Sequence, residues 1–332
     1  MGLRYTDLDS WRSWQASRRR LHVLKAALTP SRPAPTVPAL EFWTRGQAPR
    51  VLVACDSTSP TNHYALVVPF SSPEAPDAVL AHPAGLDLGL EADGWRRVPP
   101  PTLDAVDTVV SIGDHLQVGA WAHGLALARG WRQVVVQHGL LTPFSPPPPT
   151  GARFLAWSQA DADYIREGRP DLEPVVVGSP LLTAAAAIPA PHVSRFTTPV
   201  FLGQLHGAEL GRWSMTRSVT AFWRETGATY RPHPREEDKL SRVQHTLWRR
   251  MGMAFDEGAA LAEIDRPVVA AFSTGVLEAA TRGIPSWVFH LNPPAWLREM
   301  WERYSLARWG QPPTSRPTHM PDAMKRILKE AT

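Results

Sequence analysis

The chain has 332 residues, 43% of them apolar and 20% charged, a size and balance that suit two soluble globular domains. A formal charge of +4 is too small to point to nucleic acid on its own, and the single cysteine, Cys55, excludes an intramolecular disulfide framework and a cysteine-based zinc site. Proline is the outlier at 34 residues, twice the usual ~5% share, and its clusters at 30–38, 98–101 and 146–149 favour rigid loops.

The N-terminus lacks the basic-then-apolar order of a signal peptide, and no apolar run approaches ~18 residues, so a cytoplasmic location is expected. Arg12, Arg18, Arg19, Arg20 and Lys25 lie among Leu3, Leu8, Trp11, Trp14, Leu21, Val23 and Leu24. Residues 3–27 therefore read as a basic amphipathic helix, either packed on the first domain or lying on the inner face of an anionic membrane.

Short apolar runs then alternate with helical stretches. The spacing predicts strands at 49–55, 64–70, 107–113, 132–139, 153–158 and 174–179, rich in Val and Ile as strands buried on both faces are. Cys55, in the first of them, reads as a small buried hydrophobe. Helices are expected at 114–130, closed by Gly130, and at 159–169. An Ala/Pro-rich break at 182–197 reads as a linker. Beyond it come strands at 198–205 and 228–234 around a helix near 208–226, a helix at 235–250, and strands near 252–255, 267–272 and 285–289. Residues 320–331 form a final amphipathic helix. The alternation implies parallel sheets with helices on both faces, in an N-terminal domain (1–185) and a C-terminal domain (195–315), with residues 316–332 packing back across the junction.

Four segments carry candidate chemistry. At 267–285 a buried strand runs into Ser273-Thr274-Gly275 and a helix. Ser273 or Thr274 can cap that helix, whose free N–H groups suit an anion, and Gly275 would let a phosphate approach the backbone. Glu278, one turn after Thr274, shares its face and could accept from ribose hydroxyls. The alternative is an ordinary capped helix with a solvated Glu278. In Arg231-Pro232-His233-Pro234-Arg235-Glu236-Glu237, Pro234 suits a first helical turn, and His233 could donate to an anion. Arg231 and Arg235 would be cations at a helix N-terminus, a conflict that a phosphate or the glutamates would relieve. Gln137-His138-Gly139 ends a first-domain strand, where ligands of open α/β sheets bind. His138 could deprotonate an acceptor hydroxyl, with Gly139 making the turn that exposes it; the other reading is a histidine bonded within its loop. Gln204, in the Gly203–Gly207 run, could face a pyrophosphate, and Asp114 is a second acid/base candidate. No H-E-x-x-H or Cys/His zinc spacing occurs, so neither a metal nor a separate cofactor is expected.

Taken in order, the QHG of 137–139, VVVGSP, the GQ of 203–204, RPHP and STGVLEA with its trailing GIP resemble a bacterial GT-B superfamily. It includes CDP-glycerol glycerophosphotransferases, polysialyltransferase-like enzymes and capsule glycosyltransferases. The resemblance spans roughly residues 105–290 and implies two Rossmann-like domains facing a central cleft. It implies that His233, Ser273 and Thr274 hold the donor phosphate, that Glu278 contacts the nucleotide, and that His138 is the acceptor-side catalytic histidine. The expected activity is metal-independent transfer of a sugar or sugar-like group from a nucleotide-activated donor to a saccharide or polymer hydroxyl, in surface polysaccharide or wall polymer synthesis. A glycerophosphotransferase, a UDP-sugar 2-epimerase-like enzyme and a non-catalytic nucleotide-binding module are the alternatives.

Overall fold

Successive side chains of a strand face opposite ways, and the valine-rich strands divide their residues between two cores accordingly. Val51 and Val53 join Leu80, Val110, Val134 and Leu155 in one buried cluster, whereas Leu52 and Ala54 join Val79, Ala81 and Val109 in another. The computed structural model describes residues 2–18, 39–189, 198–258, 261–318 and 320–332. It forms two units, one of Met1–Thr183 with His319–Thr332 and the other of Ala184–Thr318.

The first unit holds an eight-stranded sheet of β1 (Leu40–Arg45), β2 (Val51–Ala54), β3 (Ala78–Pro83), β4 (Arg96–Val98), β5 (Thr108–Ser111), β6 (Arg132–Val136), β7 (Arg153–Ala156) and β8 (Glu173–Val176). Their order is β4-β1-β3-β2-β5-β6-β7-β8. The six strands from β3 to β8 in that order are parallel, while β1 and β4 add antiparallel at the edge. The sheet is thus predominantly parallel, as expected, with an antiparallel pair added at one edge. Arg96 and Arg97 keep its outer strand charged and exposed, a protection typical of sheet edges. The Gln117–Arg129 helix covers one face through Val118, Ala122 and Ala126, and Gln159–Arg166 lies over Val135, Phe154 and Ala156.

The other face is covered by residues 60–71 and by the C-terminal helix Ala323–Ala331, whose Ile327 and Leu328 are buried with Val110 and Val134. Residues 64–70, expected as a strand, are helical. Ser59 caps the segment by accepting from the Asn62 N–H, and Pro60 occupies its first turn. His63–Val67 then widens into a π-turn, with the Val68 N–H reaching back to the His63 carbonyl, next to Pro69, which has no N–H to donate. A short continuous apolar run has no period to separate strand from helix, and the start signal decides.

The amino-terminal helix spans Leu8–Arg18, and the rest of the expected 3–27 helix lies outside the described residues. The described part is packed. Leu3 and Trp11 are buried, the Trp11 Nε1–H donates to the Phe144 carbonyl at 2.8 Å, and Trp14 stacks on Phe144 at 4.9 Å. The expected linker also begins as structure, since a helix runs Pro180–Ala187; residues 190–197 lie outside the described set.

The second unit has a four-stranded, all-parallel sheet of β9 (Val200–Leu202), β10 (Thr229–Arg231), β11 (Val268–Ala270) and β12 (Ser286–Val288), ordered β10-β9-β11-β12. Helices Arg212–Thr226, Lys239–Arg250, Thr274–Thr281 and Ala295–Arg303 accompany it. Residues 252–255 contribute only a bridge from Phe255 to Tyr230, not the expected strand. The α/β class is as expected, with parallel strands at the centre of both sheets. Among the described residues no helix is long and apolar enough to cross a membrane.

Candidate functional site

Among its parallel strands each sheet reverses its order once: β3 and β5 flank β2 in the first unit, and β10 and β11 flank β9 in the second. At such a reversal the loops leaving the strand ends diverge, and the crevice between them is where open α/β sheets take ligands. The two crevices are furnished differently. In the first, Asp56 at the end of β2 accepts from the Val118 N–H at 2.7 Å and the Gly119 N–H at 3.0 Å. The chain's own carboxylate thus sits on the N-terminus of the Gln117–Arg129 helix. Burial pushes that carboxyl up and the two amides pull it back.

In the second unit the same position belongs to Thr274–Thr281, and among the described residues no carboxylate is seen to accept from its first amides. Ser273 is the N-cap and accepts from the Gly275 N–H at 3.1 Å. The Thr274 hydroxyl bonds to Glu278 one turn later, so both share a face as the spacing predicted. Glu278 is not the solvated carboxylate of the bland alternative: burial pushes it up to about 7, against the pull of Thr274 and Arg282. Gly275 has a packing reason. A Cβ there would lie 2.5 Å from Leu202 Cδ1, so the glycine lets the helix sit against β9.

The loop after β9 brings Gln204 and His206. The Gln204 Oε1 accepts from the Phe272 N–H at 2.9 Å, tying this loop to the one after β11. His206 stacks on His233, from the loop after β10, with ring centroids 3.9 Å apart. His233 Nδ1 accepts from the Arg235 N–H at 3.1 Å, which leaves the neutral ring's proton on Nε2 as a donor. Burial, then the neighbouring His233, lowers His206 to about 4; burial also lowers His233, opposed by Glu236 and aided by Arg235. The pair is neutral at pH 7.

RPHP does not open a helix. The Lys239–Arg250 helix starts later and is capped by Asp238, which accepts from Leu240 and Ser241 and pairs with Arg212. The expected clash of Arg231 and Arg235 with a helix dipole therefore does not arise; Arg231 pairs with Asp256 at 3.2 Å. Glu236, expected as a dipole partner, is fully buried. It accepts from the Leu205 N–H and the Tyr230 hydroxyl, each at 2.8 Å, and lies 2.9 Å from His245 Nε2. Gly203 makes room for this, because a Cβ there would fall 2.5 Å from Tyr230 Oη and 2.7 Å from Glu236 Oε1.

His138 and Asp114 lie in the first unit, in the loops after the adjacent strands β6 and β5. Both neighbours of His138 are pinned. Gln137 accepts from the Trp157 N–H at 2.9 Å through Oε1, and its Nε2 donates to the Gly139 carbonyl at 3.0 Å. His138 itself is half-buried. Gly139 has no positive φ and open space where a Cβ would be, so the turn does not require it. Asp114 is half-buried, 3.9 Å from His123 Nε2, with Oδ1 buried and without a hydrogen-bond partner. Cys55 is buried and its thiol is pushed up to about 11 by burial, as befits a core residue.

The structure thus gathers Gln204, His206, His233, Arg235, Ser273, Thr274 and Glu278 at the carboxyl ends of β9, β10 and β11. Sequence reasoning passed over His206 and the half-buried Glu209, whose carboxyl burial pushes up. His206 lay in the GQLHG run already singled out, but that run was read for its glycines.

No family model matches the chain, and a search of curated proteins finds no match. Two solved structures of UDP-GlcNAc 2-epimerase from Methanocaldococcus jannaschii are similar to it. The complex with UDP-GlcNAc and UDP is 13% identical over 68% of this chain and 75% of that one, with a TM-score of 0.43. The other is 13% identical over 68% and 76%, with a TM-score of 0.38. At that distance the likeness assigns no residue a role.

Proposed function

We propose that this chain is a GT-B-type transferase that holds a nucleotide-activated sugar, or a similar group, on its second unit and passes that group to a hydroxyl. One observation carries the reading: of the two crevices at strand-order reversals, the first is filled by Asp56, whereas the second presents a helix N-terminus capped, among the described residues, by Ser273 alone, beside two neutral imidazoles and a protonatable Glu278. A helix N-terminus with neutral donors beside it suits a phosphate, and a carboxyl one turn along suits the paired hydroxyls of a ribose.

In this reading His138 takes the proton from the acceptor hydroxyl as its oxygen attacks the activated carbon. The bond from that carbon to the donor phosphate oxygen breaks, and the nucleotide leaves with the electron pair. The helix terminus at Ser273–Gly275, the His233 Nε2–H and Arg235 meet the charge that develops on it. Building a surface polysaccharide or wall polymer in the cytoplasm is the setting that the motif order suggests.

Thermal-shift screening against CMP, CDP, UDP and GDP tests the donor site, because a ligand at one hundred times its dissociation constant adds ~2.7 kcal/mol of apparent stability. Stabilisation by one nucleotide that His233→Ala removes is expected. No stabilisation by any of them would defeat the proposal, and conversion of a nucleotide sugar without any acceptor would reassign the activity to an epimerase.

A further inference from the structure

Exposed apolar side chains are ordinary when scattered and informative when they line up. On the Lys239–Arg250 helix Ser241, His245 and Trp248 are buried, while Leu240, Val243, Leu247 and the following Met251 are 52%, 67%, 51% and 39% exposed. Their spacing of three, four and four residues places them in one stripe along the helix, beside the packed side. The neighbouring helix Arg212–Thr226 is joined to this one through Arg212 to Ser241 at 2.8 Å and through the Trp248 Nε1–H to Thr220 at 3.0 Å. It adds Trp213, 73% exposed, at the same end as Leu240.

On the stripe's own helix the charges have one sign; exposed Glu237 and half-buried Asp238, the latter paired with Arg212, precede it, and its neighbour carries exposed Glu225 among its arginines. Lys239, Arg242, Arg249 and Arg250 are exposed on the stripe's own helix, which contains no carboxylate, and Arg217 and Arg224 are exposed on its neighbour. Arg249 is engaged by Glu257 and lies over the Phe255 ring, which leaves Lys239, Arg242 and Arg250 to set the field beside the stripe. We propose that this face of the second unit docks on an anionic lipid bilayer, with Leu240, Val243, Leu247, Met251 and Trp213 entering the interfacial layer and the cations meeting lipid phosphates. An exposed apolar edge bordered by cations, with a tryptophan at one end, is the pattern of helices that lie in the plane of a membrane surface. A second copy of the chain fits less well, because a two-fold contact through the stripe brings the same cations of both copies together. The surface belongs to the second unit and the Leu8–Arg18 helix, whose large side chains are packed, to the first, and the inference does not rest on the donor assignment.

Sedimentation of the full chain with vesicles tests it. The chain should sediment with phosphatidylcholine–phosphatidylglycerol vesicles and not with phosphatidylcholine alone, and added salt should release it. Arg242→Gln with Arg250→Gln should weaken partition about thirtyfold, the equivalent of ~1 kcal/mol for each cation. Val243→Glu with Leu247→Glu should abolish it, with circular dichroism and nucleotide-induced thermal shifts unchanged because both positions are exposed. The inference is overturned if the glutamate pair binds vesicles like the parent, or if binding is lost on substituting Arg18 instead. It is equally overturned if the parent fails to bind at low salt, or is a dimer that the glutamate pair dissociates without any vesicle binding.

Discussion

Individual side chains separate binding from chemistry. His233→Ala removes a donor to the proposed phosphate and should weaken nucleotide binding roughly ten- to hundredfold, the equivalent of ~1.5–3 kcal/mol for a charge-assisted hydrogen bond. His138→Ala should leave nucleotide affinity intact and lower turnover by ~10²–10⁴, the reach of a general base. Calorimetry with the nucleotide beside turnover with donor and acceptor checks both; normal turnover by the His138 variant would move the base to Asp114. Glu278 makes a pH prediction whose sign is fixed by its upward displacement. From 4.5 to about 7 the folded chain holds the proton that the unfolded chain has lost, so this group's stabilisation is complete below 4.5 and fades as pH rises through that window. The parent should therefore lose more stability between pH 5 and pH 8 than Glu278→Gln does, by an amount on the order of 2–3 kcal/mol. Parallel slopes in denaturant titrations of the two would show that the carboxyl is not displaced.

Elements show where the sequence was readable. β2, β5, β6, β7, β9 and β11 combine a short apolar run with a cap or turn at the end, two cues that agree, and each was found. Residues 64–70 offered the same run under the contrary cue of Ser59 and Pro60, and folded as a helix. β1 and β4 pair antiparallel, and β3 follows residues 64–70, which read as a strand themselves, so β/α alternation gave no reason to look for them. The proposed donor-side site was half legible: Ser273, Thr274 and Glu278 follow from helical spacing. The burial of Glu236 comes from three separate elements that meet on it, the loop after β9 at Leu205, β10 at Tyr230 and the Lys239–Arg250 helix at His245, which no local pattern encodes. Glycines within helices give a test at this scale. Gly124, inside Gln117–Arg129, has open space where a Cβ would be, so Gly124→Ala should stabilise by ~0.5–1 kcal/mol. Gly275→Ala should cost ~1–3 kcal/mol through the clash with Leu202. Chemical denaturation of both variants decides, and equal effects would contradict the packing described.

At the scale of the whole chain, the first unit is built from both ends of the sequence. Ala323, Ile327, Leu328 and Ala331 complete its core, Arg153 pairs with Glu330 at 2.8 Å, and a Cβ at Gly178 would come within 2.7 Å of Met320. Removing residues 320–332 takes Ile327 and Leu328 out of the core, a loss of about 1.5–3 kcal/mol each before any cavity term. Limited proteolysis should then cut first within residues 39–183, and a truncated chain as resistant there as the parent would contradict this arrangement. The same return of the chain sets an order during synthesis. Residues 39–183 leave the ribosome with one face of their sheet uncovered, and the stretch Ala184–Thr318 must be made before the missing helix arrives. At roughly 5–20 residues per second that wait lasts on the order of ten seconds. The unit that begins second is therefore the first that can finish folding, and the nascent first unit holds an open apolar face for a chaperone to shield in the interval.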